Sequence, residues 1–120
     1  MADRITVPQF DIVSIEDASH AALKRLRVYV AIRPENADEL VNVAAKIVSD
    51  HAANNDAVVM FFYFSATDAG KAPSEARAQY VRNGMRQGVA PSPLKSERSL
   101  HRFKLPNGVV TVEAAREAVA

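Results

Sequence analysis

The sequence predicts a single-domain α+β protein, with a mainly antiparallel sheet and one long helix packed on one face. Three observations predict it. Residues 57–64 (Ala-Val-Val-Met-Phe-Phe-Tyr-Phe) form an unbroken apolar run between the turn-forming Asn54-Asn55-Asp56 and Ser65-Ala66-Thr67-Asp68-Ala69-Gly70. The length and the aromatic and β-branched content of this run mark a strand covered on both faces. Residues 26–32 alternate apolar and polar, and Leu40, Val43, Ala44, Ile47 and Val48 repeat at three- and four-residue spacing. The first pattern is a half-buried strand and the second an amphipathic helix. A chain of 120 residues is the size of one domain.

Taken in order, residues 1–8 end at Pro8 and show no strong period, so they read as a lead-in. Phe10 to Glu16 is rich in β-branched residues and alternates, giving a first strand. Asp17 to Ala22 is a short connector, which predicts antiparallel pairing with the second strand. In that second strand Leu26, Val28, Val30 and Ile32 share one face, and Arg25, Arg27, Tyr29 and Ala31 share the wet one. Pro34 stops it. Asn36 with Glu39 three residues on resembles a capping box and starts a helix over about Ala37 to Ala53, roughly 25 Å long at 1.5 Å per residue.

The apolar run 57–64 is the expected central strand. After a polar loop, Ala76 to Val81 reads as a fourth strand with an exposed basic face of Arg77 and Gln79, closed by the Asn83-Gly84 turn. The core order is therefore β-β-α-β-β over residues 10–84. Residues 85–120 form a C-terminal extension: an irregular stretch 85–99 with Gly88, Pro91 and Pro93, a hairpin of Leu100–Leu105 and Val109–Val112 around Pro106-Asn107-Gly108, and a short helix over Glu113 to Ala120. If the far face of the central strand is open, this extension or a second copy of the chain must cover it.

Several of these stretches together resemble a small bacterial α+β domain family: Asp11-Ile12-Val13-Ser14-Ile15-Glu16-Asp17, Lys24-Arg25, Asp38-Glu39-Leu40, Val58 to Tyr63, and Ala78-x-Tyr80-x-x-Asn83-Gly84. The resemblance covers Phe10 to Gly88. It departs where no acid follows Tyr63 directly and where loop 66–75 is not Gly-rich. That family has no assigned chemistry, so the resemblance implies a fold and carries over no site.

Catalytic, cofactor and metal constellations are not found in the sequence. There is no Cys, hence no thiolate nucleophile, disulfide or Cys-based metal site, and a reducing, cytoplasmic location is expected. No apolar run approaches the ~20 residues that span a bilayer. His20, His51 and His101 fall in three separate segments, without the spacing of a metal or acid–base motif. Glu16, Asp17, Ser19 and His20 put acid, hydroxyl and imidazole side by side, but adjacency does not assemble a triad. Ala69-Gly70-Lys71 fails as a phosphate loop, because Ser65 and Ala72 stand where the motif needs glycine and a hydroxyl. Tyr63, Tyr80 and Arg82 would suit base stacking on a sheet surface; the simpler expectation is that Tyr63 packs under the helix and Tyr80 pairs across strands.

Net charge is +1, unevenly spread: residues 1–60 hold six Lys/Arg against nine Asp/Glu, and residues 61–120 hold nine against five. Seven cations, Arg77, Arg82, Arg86, Lys95, Arg98, Arg102 and Lys104, face a single acid, Glu97, between 77 and 104. Such an excess attracts acidic partners if folding gathers it on one face. The functional expectation is a non-enzymatic interaction module, self-associating or binding an acidic protein through these residues, with nucleic-acid binding as the alternative.

Overall fold

The computed structural model describes residues 10–20, 22–33, 37–71, 73–84, 98–105 and 107–115. In chain order the elements are strand β1 (Asp11–Asp17), strand β2 (Arg25–Ala31), helix α1 (Ala37–His51), strand β3 (Ala57–Tyr63), strand β4 (Ala76–Arg82), strand β5 (Arg98–Leu105) and strand β6 (Gly108–Ala115). Short 3-10 turns occupy Ala52–Asn54 and Ala66–Asp68. The six strands make one sheet in the order β1-β2-β3-β4-β6-β5. The radius of gyration, 13.6 Å, is that of one compact domain of this length.

Every neighbouring pair is antiparallel except β2 and β3, which run parallel. Parallel neighbours need a crossover of a dozen or more residues, and α1 supplies it. The helix lies over β3 and β6. Its Leu40, Val43, Ala44, Ile47 and Val48 are buried against Val28 and Val30 of β2, Val58, Met60 and Phe62 of β3, Ala76, Ala78 and Tyr80 of β4, and Val110, Val112 and Ala114 of β6. All seven residues of β3 are buried, as an unbroken apolar run demands.

The C-terminal arrangement differs from the one expected. The expected hairpin forms, with β5 and β6 antiparallel from Leu105↔Gly108 outward, but it is part of the sheet and not an appendage: β6 inserts between β4 and β5, pairs with β4 from Ala76↔Ala114 to Arg82↔Gly108, and adds three side chains to the core. Glu113 to Ala115 continue this strand instead of opening a helix, because Val110, Val112 and Ala114 alternate onto the face that α1 covers. Arg98 and Ser99, expected in an irregular stretch, already belong to β5. Residues 116–120, residues 85–97 and Asn36 of the expected helix cap lie outside the described residues.

The join between β5 and β6 depends on Gly108. A Cβ there would meet the Tyr80 ring at 2.6 Å and press on the Val81 carbonyl oxygen, so only glycine lets β6 approach β4 at this point. Tyr80 donates its hydroxyl to the Asn107 carbonyl at 3.3 Å, and the Asn83 amide donates to the same oxygen at 2.8 Å. Gly84, at φ +87°, takes the left-handed conformation that the Asn83-Gly84 turn requires.

Candidate functional site

On the face of the sheet away from α1 the β3 and β4 portion is closed, as the unbroken apolar run 57–64 predicts. Val59, Phe61 and Tyr63 are buried on it, joined by Tyr29 and Ala69. Tyr29 stacks on Phe61 with ring centroids 5.4 Å apart. Loop residues after β3 fold back over the patch, where the Gly70 amide is hydrogen-bonded to the Tyr63 hydroxyl. Burial of Tyr63 pushes its phenol above the ordinary value; Tyr29 is shifted the same way, first by burial and then by its hydrogen bond to Glu16. Tyr63 thus lies on the side opposite the helix, not under it, because odd-numbered residues of β3 point away from α1. Tyr80 lies on the helix side. The two tyrosines share no face, and the stacking surface imagined for them does not form.

The basic face expected on β4 is likewise buried. Arg77, Gln79 and Val81 point to the closed face and are under 9% exposed. Arg77 Nη2 donates to Glu113 Oε2 at 3.0 Å across the β4–β6 pair. Arg82 reaches the carboxylate of Asp56 at 3.1 Å. Asp56 also accepts the Lys24 amide at 3.0 Å, and its carbonyl accepts the Arg82 amide at 2.9 Å. It therefore ties together the starts of β2 and β3 and the end of β4. Arg86 and Lys95 lie outside the described residues, and Arg98 is placed at the first position of β5. Arg102 and Lys104 are exposed two positions apart on β5. Among the described residues, Arg77 is paired in the interior and Arg82 is paired at the surface, while Arg102 and Lys104 lie exposed on an edge strand.

The opposite edge is β1, which has an accessible pattern of another kind. All seven of its residues are exposed. Ile12 and Ile15 pair with Val30 and Val28 and so sit on the helix side, but β1 extends beyond the cover of α1. Ile12, Val13 and Ile15 remain 40%, 42% and 45% exposed. Val13 is the extra residue of a bulge between Ile12 and Ser14, a device that bends an edge strand. Three acids, Asp11, Glu16 and Asp17, complete the strand, with no base.

Asp17, Ser19 and His20 build the β1–β2 connection. The Ser19 amide donates to Asp17 Oδ1 at 2.9 Å, and the Arg25 amide donates to Ser19 Oγ at 3.2 Å. The Ser19 hydroxyl and amide together hold the Asp17 carboxyl below the ordinary carboxylate value. His20 and Leu23 exchange backbone hydrogen bonds at 3.0 and 2.9 Å. His51 ends α1, where its carbonyl accepts from Asn55 Nδ2 at 2.9 Å, and His101 sits in β5. Among the described residues no cluster of three or more His, Cys, Asp or Glu side chains is placed to hold a metal ion.

A groove of about 390 Å³ opens where β1 begins and β2 and β3 end, lined by Phe10, Asp11, Ala31, Ile32, Arg33, Phe64 and Ala66. The Arg33 guanidinium lies 5.4 Å from the Phe64 ring centroid, a cation–π contact. Phe64 is held by Glu75, whose buried carboxylate accepts the Phe64 amide at 3.1 Å while the Glu75 amide donates to the Phe62 carbonyl at 3.0 Å. Neither Arg33 nor Glu75 belongs to a motif. Pro34 after Arg33 and the loop before Glu75 mark strand ends, but nothing local brings those ends together.

No family model, curated protein or solved structure matches the chain, so the family resemblance rests on the motifs alone. Among the described residues no helix is long and apolar enough to cross a membrane.

Proposed function

We propose that this protein is a non-enzymatic interaction module that accepts an extended peptide segment alongside β1. The observation that carries the reading is the state of that strand: seven exposed residues at the end of the sheet, three of them large and apolar, running into the groove at Phe10 and Asp11. Strand addition of this kind draws affinity from main-chain hydrogen bonds along the edge and specificity from side-chain pockets beside it. The groove, bordered by Asp11, Arg33 and two phenyl rings, has the volume to take a side chain of the added segment.

A photoreactive amino acid in place of Ser14, exposed on β1 and away from the core, tests this in cells that make the protein. A discrete cross-linked adduct that disappears when Ile15→Lys is added is the expected result. Absence of any adduct overturns the reading.

Nucleic-acid binding is the second reading, favoured by the adjacent exposed side chains of Arg102 and Lys104. Two phosphate contacts on a single strand would give a log–log salt slope of only about −1.4. That is a weak electrostatic grip, and a slope several times steeper would promote this reading over the first.

A further inference from the structure

We infer that the segment received by β1 is strand β5 of a second copy of this chain, giving a head-to-tail assembly in which the sheet continues from one molecule into the next. The inference rests on the strand-accepting role proposed for β1 and names its partner. The two strands are the two ends of one sheet, and they are complementary. β1 (DIVSIED) carries three acids and no base, whereas β5 (RSLHRFKL) carries Arg98, Arg102 and Lys104 and no acid. Their lengths are seven and eight residues. Across the bulge Asp11 and Glu16 stand opposite Ala31 and Arg27, four ladder positions apart on the face away from α1; Arg98 and Arg102 occupy positions four apart on the same face of β5, so one parallel register sets two acids against two cations.

The topology allows this geometry directly. β1 is antiparallel to β2, β2 is parallel to β3, and each later neighbour reverses direction, so β1 and β5 run the same way at opposite edges. A copy displaced along the sheet therefore brings its β5 beside β1 with both helices on one side. Two-fold pairings are disfavoured by the same charges: β1 on β1 sets acids against acids, and β5 on β5 sets cations against cations. A head-to-tail contact uses two different surfaces, so it propagates instead of stopping at a dimer.

The alternative is that the charges and the β1 bulge serve only to guard the edges against association. Sedimentation or light scattering of the full chain at ~50 mM and ~500 mM salt, where screening lengths differ severalfold, decides between them. The expected result at low salt is a weight-average mass above 13.1 kDa that rises with concentration, and a return towards the monomer at high salt.

Val13→Lys/Ile15→Lys blocks β1, and Arg102→Glu/Lys104→Glu blocks β5. Each variant is expected to be monomeric alone, and an equimolar mixture to form a 1:1 dimer and nothing larger, because one intact edge of each kind survives. If the lysine variant does not fold, Asp11→Asn/Glu16→Gln/Asp17→Asn removes the charge without adding any. A wild-type chain that stays at 13.1 kDa throughout overturns the inference, and so does a β1-blocked or β5-blocked variant that still self-associates alone. A Ser14 cross-link to some other protein, with the chain itself monomeric, overturns self-association and leaves the interaction reading standing.

Discussion

Gly108 and Arg77 show how single residues constrain this sheet, for opposite reasons. At Gly108 the constraint is space: a methyl group would enter the Tyr80 ring and the Val81 carbonyl. Gly108→Ala is expected to destabilise by about 1–3 kcal/mol, the usual cost of overpacking a tight site, seen as a lower denaturant midpoint with an unchanged slope. At Arg77 the constraint is charge. The guanidinium is 8% exposed and its partner Glu113 20%, so removing the carboxylate leaves a cation in the interior. Glu113→Ala is expected to cost about 3–5 kcal/mol, more than a matched Arg77→Met/Glu113→Leu pair, measured by denaturant unfolding. Asp17 is constrained through its bonds to Ser19. Its carboxyl titrates below the ordinary 3.8, so its stabilising contribution is complete above that value and is lost as pH falls through the lowered one. Ser19→Ala removes the hydroxyl bond, and the Asp17 titration followed by NMR is expected to move back up.

At the scale of elements, α1 and β3 carry the core and the edge strands do not. Leu40 is 1% exposed in the first half of α1, and Leu40→Ala is expected to cost about 2–5 kcal/mol. Ile15, 45% exposed on β1, lies outside that core, and Ile15→Lys is expected to change stability by no more than about 0.5 kcal/mol. The contrast between the two, read by thermal unfolding, separates a strand that holds the fold together from one available to a partner. The closed face adds an alkaline limit. Burial raises the phenols of Tyr29 and Tyr63, so above the ordinary tyrosine value of 10.0 the folded chain holds protons that the unfolded chain has released. Stability then falls as pH rises.

At the scale of the molecule, one sheet has two unlike ends. The acidic, partly apolar end at β1 and the cationic end at β5 are separated by four strands, and the charge imbalance between the halves of the sequence becomes an imbalance between the edges. If those edges meet between copies, the folded state is stabilised by mass action. The thermal midpoint of the wild-type chain is then expected to rise with protein concentration at low salt, whereas that of the edge-blocked variants is not.

The sequence by itself determined the elements whose signals are local. The apolar run 57–64, the alternation at 26–32, the helical spacing of Leu40 to Val48 and the Asn83-Gly84 turn each depend on residues a few positions apart, and periodicity reads such patterns directly. The short connector also gave the antiparallel pairing of β1 with β2, but no local signal determined the neighbours of β3 and β6. The alternation of Val110, Val112 and Ala114 is legible, but their place beside β4 is decided by long-range pairing and by the space at Gly108. The basic run was visible as a composition and not as a surface: whether Arg77 faces solvent depends on Glu113, 36 residues away, and whether Arg82 is engaged depends on Asp56. The groove was beyond sequence reasoning, since Asp11, Arg33 and Phe64 come from three strand ends that only the parallel pairing of β2 and β3 aligns. Sequence periodicity assigns a residue to one side of its own strand; what lies against that side is settled by contacts the chain makes after it has folded.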